Sequence, residues 1–167
     1  MVIYGFDLSS RKIAVVTFDG DVDVFTAEVK KQQSRAQELL QLSQALDEYL
    51  GGRVPGYCYI EAPVVGRGGA RPTVLQSQVD GLIQVAALRS GQLGCYSVNN
   101  KTWKKAIVGN GNASKEQSAA WLAATHPVLS DMVDGDQDLV DAACVAIYGA
   151  RVVERAQGLG GALQLDP

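Results

Sequence analysis

VIYGFDLSSRKIAVVTFDGDVDVFTAE, residues 2–28, is the stretch that decides the fold. Its first run, Val2-Ile3-Tyr4-Gly5-Phe6, is apolar without alternation, the mark of a central strand buried on both faces. Asp7 ends that run. A polar turn over residues 9–12 leads into a second β-rich run, residues 13–18. Asp19-Gly20 is a hairpin signal, because glycine tolerates the positive φ that tight hairpin turns require. Beyond it Val22, Val24 and Thr26 alternate with Asp23 and Phe25, as on a half-exposed edge strand. The chain therefore opens with a three-stranded antiparallel meander.

Downstream the period changes. Leu39, Leu42, Leu46 and Tyr49 recur at three- and four-residue steps and predict a helix over 32–50, stopped by Gly51-Gly52. Tyr57-Cys58-Tyr59-Ile60 is a fourth short strand that ends in Glu61. Residues 62–72, rich in glycine and carrying Pro63, Arg67, Arg71 and Pro72, read as a loop. A second helix is expected over 73–90, with Leu75, Val79, Leu82, Ile83 and Ala86 on one stripe. A fifth strand follows at 95–98. Two short helices, 101–108 and 114–124, flank Gly109-Asn110-Gly111-Asn112, and a last helix covers 137–156. The order βββ-α-β-α-β-α-α-α implies an α/β fold. Its mixed five-stranded sheet joins the antiparallel meander to two parallel strands and is flanked by helices. Residues 1–156 are expected to form a single domain, with 157–167 a loose glycine-containing tail.

The chain has 167 residues, enough for one domain with a core that needs no disulfide or structural metal. The apolar fraction of 47% and charged fraction of 20% are those of an ordinary globular protein. Cys58, Cys95 and Cys144 form no CxxC pair, which argues against a disulfide framework and for a reducing cytoplasm. His126 stands alone, which argues against a histidine metal site or a Ser-His-Asp triad. No apolar run approaches a membrane span, and nothing resembles a signal peptide. Any catalysis is thus expected to rest on carboxylates.

Asp7 and Glu61 each close an apolar strand, and in mixed sheets of this kind sites form at the carboxyl ends of parallel strands. An acid directly after a buried strand is costly unless water, a partner or a cation meets it. Two such charges about 4 Å apart repel by roughly 4 kcal/mol at an effective dielectric of 20. Asp138 and Asp141 lie three apart on the last helix, hence on one face, just before the apolar run Ala142-Ala143-Cys144-Val145-Ala146-Ile147. Acids are favoured in a first helical turn by the dipole alone, and Asp134 and Asp136 could share that role. The pair's continuation into so apolar a segment goes beyond that role. Four carboxylates make a hard, all-oxygen set that selects Mg²⁺ or Mn²⁺ over zinc. Two such ions can clamp the attacking and leaving oxygens of a phosphodiester.

Four pieces in order resemble the RuvC-type Holliday junction resolvases of the RNase H-like, retroviral-integrase superfamily, in a phage or bacterial member. They are Gly5-Phe6-Asp7, Ile60-Glu61, the run KKAIVGNGNASK over 104–115, and Asp138-Leu139-Val140-Asp141-Ala142-Ala143. The resemblance implies an RNase H-like fold and a Mg²⁺-dependent crossover junction endodeoxyribonuclease. By the same resemblance Asp7, Glu61, Asp138 and Asp141 bind two Mg²⁺ ions per active site, with Mn²⁺ as a substitute. It places Lys104 and Lys115 near the scissile strand, Lys115 among the catalytic residues. It further implies a homodimer that cuts two strands of a four-way DNA junction symmetrically. The chain departs from the family where many relatives carry an aromatic residue three positions after the strand-end glutamate; here that position is Val64. Leu8-Ser9-Ser10 replaces the more usual Pro-Gly-Ser, and the loop over 66–72 is unlike that of a typical resolvase.

The formal charge of −3 argues against a generic basic DNA coat, but two divalent ions on the four acids would turn it into +1. Lys101, Lys104, Lys105 and Lys115 fall in one stretch without an intervening acid, and Arg67 and Arg71 lie in the loop after Glu61. These six are read as phosphate contacts, the alternative being a solvated basic face. Trp103 either stacks on a base or, the commoner case, anchors its helix in the core. Val74, Val85 and Leu88 lie off the apolar stripe of the second long helix and ask for burial against a partner or a neighbouring helix. Other readings remain at this point: a broader phage nuclease that debranches DNA or nicks flaps, an RNA-processing relative, and a junction-binding protein without chemistry.

Overall fold

β1 (Ile3–Leu8) runs through the centre of a five-stranded sheet in the computed structural model, which describes residues 1–18, 20–63 and 70–158. β2 (Lys12–Phe18) and β3 (Asp23–Glu28) continue the meander outward on one side, each antiparallel to its neighbour. β4 (Tyr57–Glu61) lies parallel to β1 on the other side, and β5 (Gly94–Val98) parallel to β4, giving the order β3-β2-β1-β4-β5. In this register Asp7 faces Ala14 across β2, and Phe6 pairs with Ile60 on β4. The ends of β1 and β4 therefore fall side by side, which is the sheet expected from the sequence.

The alternation of side chains sends β1 residues to two different cores. Tyr4, Phe6 and Leu8 pack with Leu42 and Leu46 of α1 (Arg35–Leu50) and with Val79 and Ile83 of α2 (Ala70–Arg89). Ile3 faces the opposite layer, where it joins Cys144, Val145 and Ala146 of α6 (Gln137–Gly158). α6 is buried along nearly its whole first half. It is covered by the sheet on one side and by α3 (Asn100–Ile107), α4 (Lys115–Thr125) and α5 (Pro127–Val133) on the other. An apolar run such as Ala142 to Ile147 is stable only in such an enclosed place.

The helix starts follow capping chemistry. Ser34 and Ser114 each form a reciprocal cap with the glutamine three residues on, and Asn99 accepts from Lys101 at the start of α3. Ser114 thereby fixes Lys115 as the first residue of α4.

Two expectations change. α2 begins at Ala70 rather than 73, because Arg71 and Pro72 fit the first turn, where a missing N–H costs nothing. Arg71 is thus helical rather than part of a loop. α5 was not anticipated: it fills the stretch between the helices expected at 114–124 and 137–156, with Pro127 at its start and His126 shared with the end of α4. Trp103 is fully buried, as its commoner reading as a core anchor has it, and this excludes it as a stacking platform for a base in this conformation. Asp19, Val64, Arg67, most of the 66–72 loop, and residues 159–167 of the expected tail lie outside the described residues.

Candidate active site

Asp7 and Glu61 stand at the adjacent carboxyl ends of β1 and β4, and both belong to the sheet face that α6 covers. Asp138 and Asp141 lie in the first two turns of α6. The close approach of that helix depends on Gly5. A Cβ there would overlap the carbonyl oxygen of Ala142 and the amide nitrogen of Ala146, and would lie 2.7 Å from the Ala146 Cβ. Two residues farther along the same face of β1 comes Asp7. One position before Ala142 comes Asp141.

The four carboxylates share one field. Burial, followed by the charges of Glu61, Asp141 and Asp138, raises the Asp7 carboxyl well above the ordinary carboxylate range. Asp141, buried at 8% exposure, is pushed up to about 6 by burial and by Glu61. The hydrogen bond from Gln137 and the charges of Lys104 and Lys115 pull it the other way. Lys104 and Lys115 thus reach the acid cluster electrostatically. Lys101 and Lys105, one turn apart on α3, line a neighbouring surface hollow instead. Arg71 sits in the exposed first turn of α2.

Each acid except Asp7 has a side-chain partner among the described residues. Glu61 accepts from Asn100 Nδ2 at Oε1 and from the Trp103 indole Nε1–H at Oε2, each at 2.7 Å. Asp141 Oδ1 accepts from Gln137 Nε2 at 3.0 Å. Asp138 Oδ2 lies 2.7 Å from Lys12 Nζ, which also pairs with Asp136 at 3.1 Å. A cleft of about 110 Å³ opens between Asp7, Glu61, Pro63 and Gln76.

Asn100, Trp103 as a donor, Gln137 and Lys12 were missed as site residues by sequence reasoning. Asn100 and Trp103 sit at the start of a helix that follows β5, so only the β4–β5 pairing brings them to Glu61. Lys12 and Asp136 are separated by 124 positions, and no local pattern joins them.

Among the described residues no three His, Cys, Asp or Glu side chains form a ready-made metal cage. Both Glu61 oxygens and Asp138 Oδ2 are engaged by protein donors in this conformation. The donor set nevertheless fits a hard divalent cation: it is all carboxylate oxygen and partly buried, and burial together with neighbouring acids raises Asp7 and Asp141, so positive charge would relieve the cluster.

A mixed sheet of this order, with acids at the ends of two parallel strands and at the start of the helix packed across them, defines an RNase H-like nuclease. The family model for the crossover junction endodeoxyribonuclease RuvC matches residues 5–149. The chain belongs to that family, and the matched span contains all four acids. A Thermus thermophilus RuvC structure aligns with TM-score 0.69 at 17% identity, over 93% of this chain and 97% of that one. T. thermophilus RuvC in complex with a Holliday junction substrate aligns with TM-score 0.75 at 18% identity, over 93% and 96%. These likenesses establish the common fold. No curated protein sequence matches the chain.

Proposed function

We propose that this crossover junction endodeoxyribonuclease resolves four-way DNA junctions through Asp7, Glu61, Asp138 and Asp141, which hold two Mg²⁺ ions, with Mn²⁺ able to replace them. The observation that carries the reading is the shared field of the four acids at one end of the sheet, with Lys104 and Lys115 acting on Asp141. The family match and the likeness to a RuvC that was solved on a Holliday junction support the substrate. Bound divalent ions would supply Lewis-acid stabilisation of the attacking and leaving oxygens of the phosphodiester.

The chain's own groups do the rest. Asn100 and Trp103 fix the plane of the Glu61 carboxylate, as outer hydrogen bonds do for metal ligands generally. Lys104 and Lys115 offset the acids' charge and hold the phosphate of the strand to be cut. Lys101, Lys105, Arg67 and Arg71 follow the neighbouring phosphates. Water is the nucleophile, and the products keep 5′-phosphates and 3′-hydroxyls.

Paired cutting calls for two copies. Val74, Val85 and Leu88 on α2 are 55%, 52% and 72% exposed, while Val79, Ile83 and Ala86 on the same helix are buried in the monomer core. We assign the exposed residues to a two-fold contact with a second copy. No helix among the described residues is long and apolar enough to cross a membrane. The cytoplasm is the proposed compartment.

The test is cleavage of end-labelled four-way, Y-shaped and linear duplex DNA in Mg²⁺, with the cuts mapped. Two symmetric cuts in the four-way junction and intact linear duplex are expected. The near-isosteric variant Asp7→Asn should bind the junction and leave it whole. Single nicks restricted to Y-shaped DNA would point to a debranching nuclease, and wild-type cutting by Asp7→Asn would remove the carboxylate assignment.

A further inference from the structure

Lys12 opens β2 and sends its ammonium into the acid cluster from the meander side. Nζ lies 2.7 Å from Asp138 Oδ2 and 3.1 Å from Asp136 Oδ2, and 20% of the side chain is exposed. Asp136 is held in its own right: its Oδ1 accepts the backbone N–H groups of Asp138 and Leu139, which caps the start of α6. The arrangement is a chain of charge, Asp136–Lys12–Asp138. One end is fixed to a helix start and the other is an acid assigned here to metal binding.

We propose that Lys12 is the built-in counter-ion of the metal-free site, compensating Asp138 until a divalent cation takes that carboxylate and thereby lowering the site's affinity for the cation. This rests on the carboxylate-site reading above. Two features favour it over a simple strap between β2 and α6. First, the ammonium lies against Asp138 Oδ2, so the ion pair and a metal compete for the same carboxylate. Second, Asp136 offers the ammonium a place to stay when Asp138 turns away. A lysine suits such a switch, since its point charge sits on a flexible four-carbon stem, whereas arginine would hold a fixed fork.

The experiment is thermal unfolding of the full chain in EDTA and across a titration of Mg²⁺ alone, then Mn²⁺ alone, with no DNA present. A ligand that binds only the folded state raises the melting temperature with a concentration dependence that reports its affinity. Lys12→Gln should melt lower than wild type in EDTA, gain more from the metal, and reach half-effect at about tenfold less Mg²⁺. Asp136→Asn keeps the capping oxygen but leaves Lys12 with Asp138 alone, so its half-effect should move to higher Mg²⁺. Opposite shifts in the two variants are the signature of competition.

A mere strap would lower the melting temperature of both variants and leave both half-effects at the wild-type value, which would overturn the proposal. If Lys12→Gln does not fold, the Asp136→Asn shift decides alone: an unchanged or lower half-effect overturns the proposal. A wild-type protein that neither cation stabilises would remove the metal-site reading itself, and the Lys12 proposal with it.

Discussion

Gly5 of β1 lies directly beneath Ala142 of α6, so close that the space for a side chain at residue 5 is already filled by the helix backbone. This contact puts strand and helix within one side-chain length of each other, and the acids that follow it on both elements, Asp7 and Asp141, are drawn into one field. The sheet topology supplies Glu61 from the next strand. The site is thus a consequence of helix-on-sheet packing at a residue with no side chain.

Gly5→Ala is expected to displace α6 from the sheet rather than fit beside it, since the two nearest atoms it would meet are backbone. Overpacking of this kind costs about 1–3 kcal/mol, occasionally more. Chemical denaturation should show the lost stability, and cleavage should fall further than stability does, because the Asp7–Asp141 spacing changes with the helix. A variant as stable and as active as wild type would show that α6 can shift without consequence.

Trp103→Phe removes the N–H that reaches Glu61 Oε2 while keeping an aromatic ring in the core. Outer hydrogen-bond partners of metal ligands typically contribute about 10–100-fold to metal affinity or activity. The variant should therefore need more Mg²⁺ for cleavage yet bind junction DNA as wild type does. Metal-dependent cleavage curves and a binding assay in EDTA separate the two effects.

How far the sequence shows this site depends on the range of each signal. The meander is legible because apolar continuity and turn residues are local, and Asp7 and Glu61 stand out where those runs stop. Asp138 and Asp141 stand out because acids border an apolar helix. The partners of these acids are a different matter. Trp103 is legible as a core anchor, but the sequence does not show that its indole N–H, on the same buried ring, donates to Glu61. Lys12 reaches Asp136 and Asp138 only after the meander folds against a helix formed by the far end of the chain. α5 was hidden by Pro127, since proline ends one helix and starts the next with equal ease.

Glu38 provides a pH test away from the acid cluster. Its Oε1 accepts from Arg11 Nε at 2.7 Å and its Oε2 from Arg35 at 2.9 Å, and these two guanidinium groups bring its pKa down to about 2. The folded value lies below the unfolded value of roughly 4.3. The resulting stability is therefore fully present above that unfolded value and is lost as the pH falls through the folded one. Glu38→Gln should be less stable than wild type near neutral pH, and the difference should shrink on acidification from about pH 5 toward pH 2. Urea unfolding at several pH values measures it; a difference that stays constant with pH would mean that the variant disturbs packing rather than charge.

Leu88, at 72% exposure, and Val85, at 52%, sit on the outer side of α2, whose inner side is already committed to the core through Val79, Ile83 and Ala86. Fully burying side chains of this size contributes about 1.5–3 kcal/mol each. In a two-fold contact every substitution counts twice, because the same patch meets itself or its symmetry mate. Leu88→Glu would also set like charges near one another across the axis. The monomer, by contrast, loses nothing it had buried, so its own stability should move by no more than about 0.5 kcal/mol. The expected result is a dimer for wild type and a monomer for Leu88→Glu at the same micromolar concentration, measured by light scattering. The variant's melting temperature extrapolated to low concentration should match that of wild type. On a four-way junction the monomer should leave single nicks where wild type makes paired cuts. A wild-type protein that is monomeric both alone and on the junction would instead separate the exposed face of α2 from assembly, and paired cutting from this chain.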